Sequence, residues 1–154
     1  ISLILNDFVD LPNEVTVNGK NLRRKSEFHV SLMALKHILP FINANDVGVT
    51  ENNLVQDFLD YQRSALLTEF ILTGELRYVK RDERETIVAM VSVPKIEDLF
   101  EQLREKYEAK IPTQPTHITL YTLQPEAGIG LFSQKELTRD SEEIFLPELA
   151  SILM

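Results

Sequence analysis

The first third of the chain alternates between short apolar stretches and turn residues: ISLIL (1–5), EVTVNGKNL (14–22) and EFHVSLMAL (27–35). Alternation bounded by turn signals predicts strands, and Asn18-Gly19 inside the second stretch is a strong short-range hairpin signal. RRK, at Arg23 to Lys25, reads as a strand end or solvated loop. The period then changes. From Thr50, read as an N-cap, Leu54, Val55, Phe58, Leu59, Ala65 and Leu66 recur at helical spacing with polar residues between them, which predicts an amphipathic helix. EFIL, ELRYVK and TIVAMVSV return to apolar, β-branched character, with RDERE as the turn of a hairpin. Pro94 opens a second predicted helix, with Ile96, Leu99, Phe100, Leu103 and Tyr107 on one face. Its acids come early (Glu97, Asp98) and its bases late (Arg104, Lys106, Lys110), as the helix dipole favours. Pro112 and Pro115 close it. THITLYTL is a further strand, PEAGIGLF a glycine-containing loop, and EIFLPELASILM a final apolar segment. Strands interspersed with two helices indicate an α+β or α/β chain, one domain over 1–154 with no linker.

Composition narrows the function rather than the fold. At 154 residues, 44% hydrophobic and 26% charged, the chain can bury a core without disulfides or metals. Its net charge of -8 argues against gripping long duplex nucleic acid by the phosphates, but leaves room for a small or end-on anionic substrate. The absence of cysteine removes thiol nucleophiles and thiolate zinc sites, and fits a cytoplasmic location. No apolar run is long enough to span a bilayer, and ISLILNDF lacks the basic start of a signal peptide, so no membrane partner is expected. Beginning on Ile1 rather than Met, the chain reads as a fragment or a processed product.

Two of the three histidines stand in the same four-residue phrase, HVSL at 29–32 and HITL at 117–120. Successive side chains of a strand point to opposite faces, so His29 and Ser31 share one face, as do His117, Thr119 and Tyr121. Each phrase therefore offers an imidazole and a hydroxyl together. One neutral and one protonated imidazole are what acid-base cleavage of a phosphodiester needs, and two hydroxyls can donate to its non-bridging oxygens. A single strand histidine near a hydroxyl is more often structural. A shuffled chain of this composition would yield the doubled phrase only on the order of once in several hundred tries.

The doubled His-x-Ser/Thr-x phrase resembles the signature of the two-histidine (2H) phosphoesterase superfamily, and the 88-residue separation of the copies fits it. That resemblance covers most of the chain as a pattern. It implies a bilobal α+β fold, with two pseudo-symmetric β-rich lobes facing each other across a cleft and helices packed outside. It also implies a metal-independent, cofactor-free phosphoesterase with His29 and His117 as the catalytic pair and Ser31 and Thr119 as the phosphate-binding pair. Members act on 2',3'-cyclic phosphates, on cyclic phosphates of ADP-ribose and on 2'-5' linkages, some as RNA 2'-5' ligase-like proteins. The expected partner is thus a nucleotide or RNA-end phosphodiester, bound by a monomer. The rival readings are a nucleotide or RNA-end binding module without turnover, and a structural domain in which both phrases are merely buried strands.

The remaining candidates are weaker. His37, just before a proline and without a hydroxyl two residues on, reads as a surface or capping residue. Gly128 and Gly130 lack the third glycine of a dinucleotide fingerprint and read as a turn that could border the cleft. Tyr121 could line the cleft beside His117. Arg77, Lys80 and Arg81 read as a solvated strand edge from which one or two could attract phosphate. No histidine or carboxylate spacing matches a metal site.

Overall fold

The computed structural model describes every residue except Asp7, Val9, Ala44, Leu66, Thr68 and Met154, so Leu66, placed in the first helix by its spacing, lies outside the described residues. The chain is mixed α+β. Among the described residues eight strands form one antiparallel sheet: β1 (Ser2–Leu5), β2 (Glu14–Val17), β3 (Lys20–Arg24), β4 (Phe28–Ser31), β5 (Ile71–Arg81), β6 (Arg84–Ser92), β7 (His117–Thr122) and β8 (Ser141–Ile144). Among the described residues five α-helices accompany them: α1 (Leu35–Ile38), α2 (Val47–Ala65), α3 (Ile96–Tyr107), α4 (Gln134–Asp140) and α5 (Pro147–Leu153). The sheet order is β1-β4-β7-β6-β5-β8, with β3 beside the far half of β7 and β2 beside β3.

Local chemistry accounts for most of these boundaries. Asn18 and Gly19 turn the β2–β3 hairpin at φ 52° and 74°, the left-handed pair that a tight two-residue turn requires. The last two residues of EFIL, Ile71 and Leu72, and all of ELRYVK belong to a single strand, β5, whose register against β6 slips between Leu72 and Leu76 around Gly74 at φ 84°. α2 starts ahead of Thr50: the Asp46 carboxylate accepts from the Val49 N–H at 3.0 Å and its carbonyl from the Thr50 hydroxyl at 2.9 Å, so Asp46 is the capping residue. Pro94 stays outside α3, which begins at Ile96 after a left-handed Lys95. The final apolar segment divides at Pro147 into the end of β8 and α5.

One face of the sheet carries the main core. Phe28, Val30, Ile118, Leu120, Ile87, Ala89 and Val91 meet Leu54, Phe58 and Tyr61 of α2 and Leu99, Phe100 and Leu103 of α3. Burying each such leucine or phenylalanine contributes about 1.5–3 kcal/mol, which is why α2 and α3 are held on this face. The opposite face is only partly covered, by Ile129 and Leu131 of the loop after β7 and by Leu137 of α4, over Val79 and Val88.

The sheet is interrupted next to β7. β3 and β4 lie end to end along the same edge of β7, with Arg24 opposite Tyr121 and Val30 opposite Ile118, so the connection Lys25 to Glu27 is looped out between them. The Lys25 N–H still reaches the Leu120 carbonyl at 2.9 Å. On the other edge of β7, Tyr121 pairs with Ile87 but Thr119 with Val88, so Leu120 is an extra, bulged residue.

Candidate functional site

The two histidine phrases occupy adjacent strands. β4 and β7 pair antiparallel with Val30 opposite Ile118. Continuing that register by one residue each way sets His29 across from Thr119 and Ser31 across from His117. Val30 and Ile118 are both fully buried in the main core, so the four polar side chains share the opposite face. A local two-fold axis through the Val30–Ile118 pair exchanges His29 with His117 and Ser31 with Thr119. The two histidines stand on the diagonal of this square, where side chains on neighbouring strands have stems about 7–8 Å apart.

Symmetry of position is not matched by symmetry of environment. His29 is exposed, Ser31 and Thr119 are half-buried, and His117 is 9% exposed. Among the described residues neither hydroxyl is engaged in a hydrogen bond, and the buried Nδ1 of His117 has no partner of good geometry. Burial lowers the His117 pKa to about 4, opposed by the Pro115 carbonyl and reinforced by His29. His29 is lowered as well, chiefly by partial desolvation and then by the positive charge of Lys25, against a smaller opposing effect of Glu27. The two histidines thus lie close enough to feel each other's charge.

The surroundings of the square are tied down. Gln114, 5% exposed, donates from its amide to the Ser31 carbonyl at 3.2 Å, and its oxygen accepts from the Ala34 N–H at 3.2 Å. It fastens the end of β4 to the segment entering β7. The looped-out residues before His29 are held by Glu126, which accepts from Ser26 through both N–H and hydroxyl, at 3.2 and 2.9 Å, and lies 3.1 Å from the Lys25 ammonium. Nothing in the spacing of the sequence marks Gln114 or Glu126, because each acts on a segment far away in the chain.

Tyr121 does not line this face. The bulge at Leu120 resets the alternation, so Leu120 and Tyr121 both turn toward the main core opposite Ile87. Tyr121 is fully buried, its hydroxyl donates to the Pro12 carbonyl at 2.8 Å, and burial pushes its pKa up to about 12. Gly128 and Gly130 do belong to the loop over the histidine face. Their carbonyls accept from Arg84 at 3.3 Å and Arg81 at 2.9 Å, and the loop covers Val88, the neighbour of Thr119. A Cβ on Gly130 would come within 2.2 Å of the Phe132 ring, which itself stacks on the exposed His37 at 3.4 Å. Arg77 and Arg81 are committed elsewhere, Arg77 to Glu75 at 2.6 Å and Ser141 at 2.7 Å, Arg81 to Asp140 at 2.7 Å; Lys80 is exposed.

On the outer side of β4, a cavity of about 460 Å³ has His29, Ile4, Asn6, Ser26 and Glu27 among its lining residues. Ile4 pairs with His29 across the strands, and the continuous apolar run Leu3-Ile4-Leu5 held no signal to single it out. Among the described residues no group of three histidine, aspartate or glutamate side chains is clustered as a metal site would be, and no helix is long and apolar enough to cross a membrane. Comparison with known proteins returned no matching family model, no matching curated protein and no matching solved structure.

Proposed function

We propose that the chain is a phosphoesterase of the two-histidine type, cleaving a 2',3'-cyclic phosphate or a related 2'-5' nucleotide or RNA phosphodiester by proton transfer. The observation that carries this reading is the β4–β7 register, which brings both imidazoles and both hydroxyls to one face around a local two-fold axis. In the proposed reaction His117, kept neutral by burial, accepts the proton of an attacking water as its oxygen bonds to phosphorus. His29, the exposed partner, gives a proton to the ribose oxygen as the phosphorus–oxygen bond to it breaks. Ser31 and Thr119 donate to the non-bridging oxygens. Run backwards with the roles of acid and base exchanged, the same groups would join a 2'-5' linkage. The two-lobe division implied by the resemblance would then run along the β4–β7 seam.

The burial of His117 favours a second reading, in which the same face binds a nucleotide or RNA end without turnover, because a base that substrate cannot reach performs no chemistry. One experiment separates the two: a panel of 2',3'-cyclic nucleotides, ADP-ribose cyclic phosphate, 2',5'-oligoadenylate and cyclic-phosphate-ended RNA, with product identification, in buffer with and without EDTA. The phosphoesterase reading expects a single regiochemistry, retained in EDTA and reduced about 10²-fold to 10⁴-fold by His29→Ala or His117→Ala. Binding without product supports the module; activity indifferent to both substitutions removes the site.

A further inference from the structure

Two flanks border the histidine square, and they differ in access. Toward β6 the neighbour of Thr119 is Val88, fully buried under Ile129 and Leu131, so that side is closed. Toward β1 the neighbour of His29 is Ile4, 77% exposed on the outermost strand of the sheet. An isoleucine presented this openly beside a catalytic candidate offers an apolar platform at the mouth of the site. The cavity it flanks, about 460 Å³, is continuous with His29 and has Asn6, Ser26 and Glu27 as polar groups on its wall. That volume lies within the usual range of small-molecule sites, roughly 300–1,000 Å³.

We propose that this cavity is the nucleoside subsite: the base lies against Ile4, its edge meets Asn6 and Glu27, and the ribose passes His29 to deliver the phosphate to the seam. This rests on the phosphoesterase reading for the identity of the ligand and deepens it, since of the two flanks of the histidine square only the β1 side is open to the rest of a molecule whose phosphate lies between the histidines. An aliphatic plate suits the flat, apolar face of a base, while an amide and a carboxylate supply a donor and acceptors to its edge. The subsite therefore selects nucleotides over simple phosphate esters, and bases with N–H donors facing Glu27 over those without.

The test is equilibrium binding followed by backbone amide NMR, with a nucleoside 3'-monophosphate and inorganic phosphate as the two probes. The nucleotide, and not phosphate, should shift the amides of Ile4, Asn6 and Glu27. Ile4→Ser, which removes the plate without adding charge beside His29, should weaken nucleotide binding about tenfold, the equivalent of about 1.4 kcal/mol, and leave phosphate binding unchanged. Ile4→Trp, which enlarges the plate, should tighten it, so the proposal stays testable if the serine variant folds poorly. Equal shifts from both probes, or nucleotide affinity indifferent to both substitutions, would overturn it. Because the readout is binding, absence of turnover in the wild type would remove the phosphoesterase reading while leaving the subsite. Turnover without nucleotide-specific shifts would remove the subsite alone.

Discussion

His117 is asked by its surroundings to stay uncharged: it is 9% exposed, and burial sets its pKa near 4. The His29 value is lowered too. A mechanism needing one neutral and one protonated imidazole is then best populated between two depressed values, so kcat/KM against pH should form a bell whose maximum lies below about 6.5, the ordinary histidine value. The limbs belong to the pair rather than to either residue. A flat profile from about pH 4 to 8 would leave binding as the better reading. Stability gives an independent check. The folded pKa of His117 is below the unfolded one, so between about pH 6.5 and 4 the unfolded chain binds more protons, and stability falls as pH falls through that window. From pH 7.5 to pH 5 the wild type should lose on the order of 2 kcal/mol from this residue, a loss absent from His117→Asn when both are unfolded in urea.

At the level of elements, the seam between β4 and β7 is held by packing below it and by Gln114 at its end. Gln114→Ala would leave the half-buried Ser31 carbonyl and Ala34 N–H without this partner; it should cost about 1 kcal/mol in denaturant unfolding and slow any turnover by loosening Ser31 against His117. Gly130→Ala should cost about 1–3 kcal/mol by overpacking, because Phe132 must move off the new methyl and off His37. An unchanged ring environment for His37 in NMR would contradict this. These elements also show what the sequence could and could not disclose. The Asn18-Gly19 hairpin, the β5–β6 hairpin and the strand nature of both histidine phrases were legible because local turn chemistry and alternation determine them. The start of α2 is not determined by its sequence alone, because two residues that cap well, Asp46 and Thr50, stand one turn apart and the structure uses Asp46. α4 carries a capping signal legible in the sequence, Ser133 followed by Glu136: the Ser133 hydroxyl accepts from the Glu136 N–H at 3.2 Å, and the Glu136 carboxylate reaches back to the Phe132 N–H at 2.7 Å. The fate of Tyr121 could not be read, since a bulge is a product of pairing with β6 and leaves no mark on the alternation of β7 alone.

The whole molecule repels the kind of ligand proposed for it. With a net charge of -8 and with Arg77 and Arg81 bound to carboxylates, long-range electrostatics oppose an incoming phosphate. Screening that repulsion should raise kcat/KM, or the nucleotide association rate, between about 20 and 200 mM salt; a steep fall would instead point to an attractive basic surface. The neighbourhood of β4 and β7 is likewise a property of the molecule, built across 88 residues by the intervening helices and hairpin. The two-fold axis at Val30 and Ile118 has a consequence of its own. Turned end for end, a phosphodiester laid across the seam would meet an imidazole and a hydroxyl in the same places, so the motif is a palindrome and by itself assigns no polarity to the ligand. Polarity would come from the unlike banks, one roofed over Val88 and the other bare at Ile4. Stripping the roof and capping Ile4 should therefore reverse the strand sense of a bound dinucleotide without altering any of the four side chains between them.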